Sequence, residues 1–365
     1  MRRTISFYSL AALLLLTGFA SGDSGFAQKP ETFIQARAGY RFSFPRDHRP
    51  HHGYRTEWWY YTGTLKAEDG RRFGFQFTIF KVERKPNPRG SHLGDGVFFM
   101  AHMALSDPDA GRFYFTERIQ RFFPGMAGMD GDTLYVRENR LKIAGNRHVI
   151  QARADDFRLE LDVTSRLGPL IHGRNGLSAK GFNPRVGSHY FSVVDLLGSA
   201  RLKIKGREIK IAAAKAWMDH EFGSNVLLPD QTGWDWLHIT LENGERFMLF
   251  RVRSDKGRNF YSGSRISPTG AIRYLRPGEI AMKPVRWWTT PDKRGRYPIA
   301  WDVRIGEYEL EVRPWLDGQE LRPPFSRVRY WEGAMDAKAR VGGREIKGTG
   351  FLEMTGYAGS MAGRL

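Results

Sequence analysis

Cysteine is absent from the 365-residue chain, which excludes disulfides, thiolate metal sites, a cysteine nucleophile and an acylated lipobox anchor. The fold must hold by packing alone. Long apolar runs are also missing: the leader concentrates one, from Leu10 to Leu16, and it is shorter than the ~20 residues that a membrane-spanning helix needs. Amphipathic helical patterns, phosphate-binding glycine loops and blocks of consecutive like charge are lacking too, so no nucleic-acid arm is expected. Serine hydrolase chemistry finds no support. The "SGDSG" stretch lies in the leader, and "YSGSR" around Ser262 lacks a strand-turn-helix setting.

What is present begins with that leader. Arg2 and Arg3 precede the apolar run, and small residues offer cleavage after Ala20 or Ala27, so residues 1–27 read as a secretory signal. The mature chain is expected in the periplasm or outside the cell. Its formal charge of +18 at pH 7 suits anionic partners, which for an exported protein are membrane head groups and acidic polymers.

Polar and apolar residues alternate with period two in "RRFGFQFTIFKV", "RHVIQARADDFRLELDVTS" and "YELEVRP", with glycine turns between them. The class is all-β. Two segments share an opening: "EWWYYTGTLKAEDGRRF" and "WDWLHITLENGERF" each carry a tryptophan-rich strand, a Thr-Leu pair, a glycine turn and an Arg-Phe return. Two others share an ending, since "GREIKIAAAKAWMDHEFG" and "GREIKGTGFLEMTGY" begin identically and run into an aromatic strand bearing acids. An internal duplication follows. The expected domains are 28–224 and 233–365, joined by a linker over 225–232. Closing each sheet into a barrel removes exposed edges and leaves room for one small ligand. Two sandwiches are the alternative.

In a strand from Glu57, residues Glu57, Trp59 and Tyr61 share one face, and Trp58, Tyr60 and Thr62 the other. His48, His51 and His52 precede it in a loop. They match no zinc spacing, so no metal is expected, and His48 with His51 is expected to orient Glu57 by hydrogen bonding. "KAWMDHEFG" puts Trp217, Asp219 and Glu221 on one face and Met218, His220 and Phe222 on the other. Like charge and burial should raise one carboxyl pKa enough to keep an acid protonated at neutral pH. Salt-bridged structural roles remain open for both Glu57 and this cluster. Between them, His189 and Phe191 share one face, and Tyr190 and Ser192 the other. In the second half, Trp234 and Trp236 are the matching aromatics.

The stretches "DHRPHHGYRTEWWYYTGTL", "GFQFTIF", "AWMDHEFG", "GWDWLHITL" and "YWEGAMD" through "GTGFLEMTGY" together resemble the carotenoid 1,2-hydratase (hydroxyneurosporene synthase) and AttH-type lipocalin-like family. That resemblance implies two lipocalin-like, calycin-type barrels. It also implies a hydrophobic small molecule as ligand, and either water addition to an isoprenoid double bond or service as a companion of an envelope ABC transporter. No cofactor is implied.

Hydrating such an alkene needs an acid, a cation-stabilising aromatic wall and a base. The expected parts are Asp219 as acid, His189 or Glu57 as base or orienting group, and Trp217, Trp59 and Tyr190 as wall. Trp58, Tyr60, Glu221, Trp234 and Trp236 are expected to contact the ligand. The acids of the first half are expected to meet inside one ring-lined hollow.

Overall fold

The computed structural model describes residues 33–84, 96–183, 185–225 and 227–361. The predicted leader and both its cleavage points lie outside them. Period-two alternation becomes strand almost throughout. The first sheet contains β1 (Thr56–Ala67), β2 (Arg72–Arg84), β3 (Gly96–Asp107), β4 (Arg112–Arg121), β5 (Ala127–Asp130), β6 (Thr133–Val136) and β7 (Asn139–Ala144). It continues with β8 (Arg147–Arg153), β9 (Phe157–Thr164), β10 (Leu170–Ile171), β11 (Ser178–Ala179), β12 (Gly187–Ile204) and β13 (Arg207–Asn225). The second sheet contains β14 (Gln231–Leu241), β15 (Arg246–Ser254), β16 (Phe260–Ile266), β17 (Ile272–Tyr274) and β18 (Ile280–Thr289). Its remaining strands are β19 (Arg296–Ile305), β20 (Tyr308–Pro314), β21 (Glu320–Leu321), β22 (Tyr330–Val341) and β23 (Arg344–Thr355).

Every pairing is antiparallel, and each sheet curls into a barrel or half-barrel. In the first sheet β1 lies between β2 and β13; in the second, β14 lies between β15 and β23. The first strand of each half therefore pairs with its last. This is the spatial form of the repeated openings and endings, and it sets the register that matters: Tyr60 opposes Asp219, and Trp236 opposes Glu353.

Alternation then sorts side chains between two apolar cores. Trp59, Tyr61, Phe73, Phe75, Phe77, Phe191 and Met218 fill the interior of the first barrel. Residues one position away, including Tyr60, Tyr190, Trp217, Trp236, Met248 and Phe250, form a separate core where the two sheets face each other. The hollow expected inside the first half is thus displaced. Large aromatics occupy that barrel, and the open space lies between the sheets.

Gly63 shows why "YYTG" ends in glycine. A Cβ there would sit 2.1 Å from the Lys215 carbonyl oxygen and 2.6 Å from the Phe75 ring, so any side chain must push apart β1 and β13 or eject Phe75. Gly63→Ala is expected to destabilise the protein by about 1–3 kcal/mol, the usual cost of overpacking a filled core, as read by urea unfolding; an unchanged midpoint would mean that this approach is looser than described.

Candidate functional site

Between the sheets lies a cavity of about 150 Å³. The first half contributes Trp58 and Tyr60 from β1, Tyr190 from β12, Asp219 and Glu221 from β13, and Lys180. The second contributes Trp234 and Trp236 from β14, Phe250 from β15, and Glu353 from β23. Glu57, His102 and Tyr330 also reach its wall. Rings with a few polar groups make the kind of concave, largely apolar surface that holds small organic ligands.

Asp219 accepts three hydrogen bonds in this wall. Its Oδ1 accepts hydrogen bonds from Ser192 and, at 2.7 Å, from Trp217 Nε1; its Oδ2 accepts one from Tyr190 at 2.8 Å. Tyr190 in turn accepts from Trp236 Nε1 at 3.2 Å. Burial pushes Asp219 up to about 7, against these three donors, and the nearby Glu221 charge adds to the rise. Glu221 itself is paired with Lys180 at 2.8 Å and accepts from Ser188 at 2.5 Å. The Lys180 ammonium also lies 4.3 Å from the Phe250 ring centre and 5.0 Å from that of Tyr190, a cation held against π faces.

Glu353 stands at the equivalent position of the second half. Its Oε1 accepts from Trp234 Nε1 at 3.0 Å. Burial pushes it up to about 8, helped by the charges of Glu221 and Asp219. Directly opposite, Glu332 is 1% exposed, and the Tyr60 hydroxyl beside it, too poorly aligned for a regular hydrogen bond, offsets its desolvation only in part. Desolvation holds it neutral, its pKa well above the carboxylate range.

Glu57 belongs to a different chemistry. Its Oε1 accepts from His51 Nδ1 at 2.7 Å and from His220 Nε2 at 2.8 Å, its Oε2 accepts from the His51 backbone N–H at 2.8 Å, and the buried Lys81 ammonium lies 3.6 Å away. Burial alone would raise its pKa, but the two histidine bonds prevail and bring it down to about 2. His51 also faces Asp47 at 3.4 Å; its two carboxylate partners outweigh burial and raise its pKa. His48 does not take the part expected of it. Its carbonyl accepts from Trp59 Nε1, and His220 bonds Glu57 instead.

His51, Glu57 and His220 also form a cluster with metal-ligand chemistry. Two ligand atoms on one tetrahedral metal stand roughly 3.3 Å apart, given bond lengths of about 2.0–2.1 Å. The separations of 2.7 and 2.8 Å are instead those of hydrogen bonds, and Glu57 accepts three of them.

Three of the sequence-derived candidates are placed away from the cavity wall. His189 points to the other face of β12, where its Nδ1 donates to the Gly176 carbonyl at 2.7 Å and its ring stacks on Tyr40 at 4.1 Å. Trp59 packs inside the first barrel. Trp217 lies behind Asp219, stacked on His238 at 4.6 Å, and acts on the cavity through its N–H. Conversely, Lys180, Phe250, His172 and Glu353 were not singled out as site residues by sequence. For Glu353 the signal existed: aligning "AWMDHEFG" with "GFLEMTGY" places it on Asp219.

The pattern that defines the AttH-like family matches residues 35–357. An AttH protein from Nitrosomonas europaea is 30% identical, with a TM-score of 0.78 over 88% of this chain and 99% of its own. Kievitone hydratase from Nectria haematococca is 13% identical, with a TM-score of 0.69 over 90% of this chain and 96% of its own. CghA in complex with Sch210972 is 12% identical, with a TM-score of 0.54 over 89% and 95%. These last two likenesses are of fold. No curated protein matches the chain.

A structural Glu57 makes its removal a folding defect. Glu57→Gln removes the carboxylate shared by His51, His220 and Lys81, leaving His51 only Asp47 and Lys81 only Glu83, and breaking a buried ion pair from one side costs about 3–5 kcal/mol. The expected result is a large drop in melting temperature with little change in how well the folded fraction binds a neutral naphthyl probe. Because the Glu57 pKa is lowered when folded, its contribution is present above about 4.5 and lost as pH falls toward about 2. The acid limb of the stability profile should therefore flatten in the variant, and loss of probe binding with stability intact would contradict this role.

Proposed function

The chain belongs to the AttH-like family, and from that footing we propose that it binds a hydrophobic, isoprenoid-like small molecule between its two sheets and adds water across a carbon–carbon double bond. One observation carries the reading. Six rings, those of Trp58, Tyr60, Tyr190, Trp234, Trp236 and Phe250, surround a cavity whose wall also bears Asp219 and Glu353, two acids with raised pKa values. Protonating an alkene carbon creates a tertiary cation. π faces attract such a cation by about 0.5–2 kcal/mol each, and a carboxyl that is neutral near pH 7 can release the proton.

Carotenoid hydration is the finer form of this proposal, supported by the sequence resemblance. Export to the periplasm, contact with an anionic membrane surface and service to an envelope ABC transporter belong to the same reading of the leader and the basic charge. A non-enzymatic carrier is the second reading. It is favoured by the saturation of Asp219, whose two oxygens already accept three hydrogen bonds. In that case the acids would only seat the guest.

The test is to extract what co-purifies with the protein and follow its mass on incubation. Gain of one water by wild type, and none by Asp219→Asn at equal melting temperature, supports the hydratase; an unchanged guest supports the carrier; parallel loss of folding makes the cluster structural. A blocking variant checks the location. Val82→Trp, which projects into the cavity from β2, is expected to weaken binding of a neutral naphthyl probe by about tenfold or more, equivalent to 1.4 kcal/mol; full affinity in a folded variant would place the guest elsewhere.

A further inference from the structure

Resting on that reading, we propose that Glu353 is the proton donor of the cavity and Asp219 its proton acceptor, the reverse of the part the sequence suggests for Asp219. The direction of the hydrogen bonds carries the assignment. Ser192 donates to Asp219, so it accepts from His172 Nε2, 2.7 Å away, and His172 Nδ1 then accepts from Ser264 at 3.0 Å. Burial holds His172 neutral, with a pKa of about 3, which agrees with one protonated ring nitrogen. On the other side, Trp236 donates to Tyr190 and Tyr190 donates to Asp219. Trp217 adds a third donor. With Asp219 ionised, every polar hydrogen in both chains can point toward it, and the Trp217 N–H, which can only donate, does so in any case.

Glu353 is the opposite case. Only Trp234 donates to it among the described residues, at Oε1. Its Oε2 accepts nothing from them, and Glu353 is half-buried and lines the cavity. A neutral Glu353 therefore keeps an O–H free to point at a guest, whereas Asp219, with three donors against it, gains more from being ionised. The duplication supplies the cause. Asp219 faces Ser192 across β12 and β13, while Glu353 faces Glu332 across β22 and β23. A hydroxyl donor on one side has an acid as its counterpart on the other.

The groups facing Glu353 are Glu332, Glu221, Asp219, Lys180, Trp234, Tyr60 and Tyr330; those facing Asp219 are Ser192, Tyr190, Trp217, Glu221, Glu353 and Tyr60. Burial raises both pKa values, that of Glu353 to about 8 and that of Asp219 to about 7. The step balances as follows. The π pair of the alkene takes the proton from Glu353 Oε2 and forms a C–H bond, leaving a cation at the neighbouring carbon. A water oxygen forms the C–O bond, and its surplus proton passes to Asp219. The product is the alcohol, with Glu353 ionised and Asp219 protonated; exchange of one proton with solvent water restores both.

Side-chain carboxyl NMR on protein labelled with carbon-13 in Asp and Glu tests this without a substrate. Resonances are assigned by their loss in Asp219→Asn and in Glu353→Gln, whose amide oxygen still accepts from Trp234. As pH rises, Asp219 is expected to ionise first and Glu353 later. The reverse order, or a Glu353 already ionised at pH 6, overturns the assignment. A neutral naphthyl probe is titrated in parallel: failure of wild type to bind it overturns the ligand-binding reading, and leaves the order of ionisation as a separate result.

Discussion

Pairing of the first strand of each half with its last is the constraint from which the rest follows. Without the β1–β13 ladder, Tyr60 and Asp219 would be separated by most of a domain, and without β14–β23 the same would hold for Trp236 and Glu353. Each ladder carries an aromatic strand beside an acidic one. Because strand side chains alternate, one face of each ladder fills its own barrel and the other is left over. The two leftover faces meet, and where rings prop them apart the cavity remains.

The same amino acid behaves in contrary ways in the two sheets. Glu57 is fully buried, yet it is held ionised by two imidazoles and a backbone N–H. Glu332 is as buried and has only the Tyr60 hydroxyl beside it, so its neutral form prevails. Asp219 and Glu353 fall between these limits, with partners enough to make ionisation accessible and burial enough to delay it. Acids poised near neutrality are found where proton transfer is needed. Between Glu57, Asp219 and Glu332, all buried, the contrast rests on donor supply; Glu353 is half-buried.

Much of this was legible in sequence because β structure writes its faces directly into residue parity. The repeated "GREIK" endings announced the duplication, and the split of Tyr190 from His189 and of Asp219 from His220 onto opposite faces holds in the structure. Parity does not say which face is outward. His189 and Trp59 were chosen for their chemistry, but their face belongs to the interior of the first barrel and its mouth. Register across β12 and β13, which brings Ser192 to Asp219, depends on bulges that alternation does not encode. His172 is beyond any local pattern, since only tertiary packing joins it to Ser192. Glu353 was hidden for another reason: its importance appears only when the halves are superposed.

Membership in a fold family constrains architecture more tightly than reaction, so the account stands on the site itself. Its central claim is that a guest lies between the sheets, against rings from both halves. The direct measurement is a crystal structure of the protein soaked with a brominated neutral aromatic probe, with the bromine located by anomalous scattering. The account predicts a peak bounded by Tyr60, Tyr190, Trp236 and Glu353; a peak inside the first barrel beside Phe75 and Phe77, or none in a crystal whose cavity is open to solvent, would contradict it.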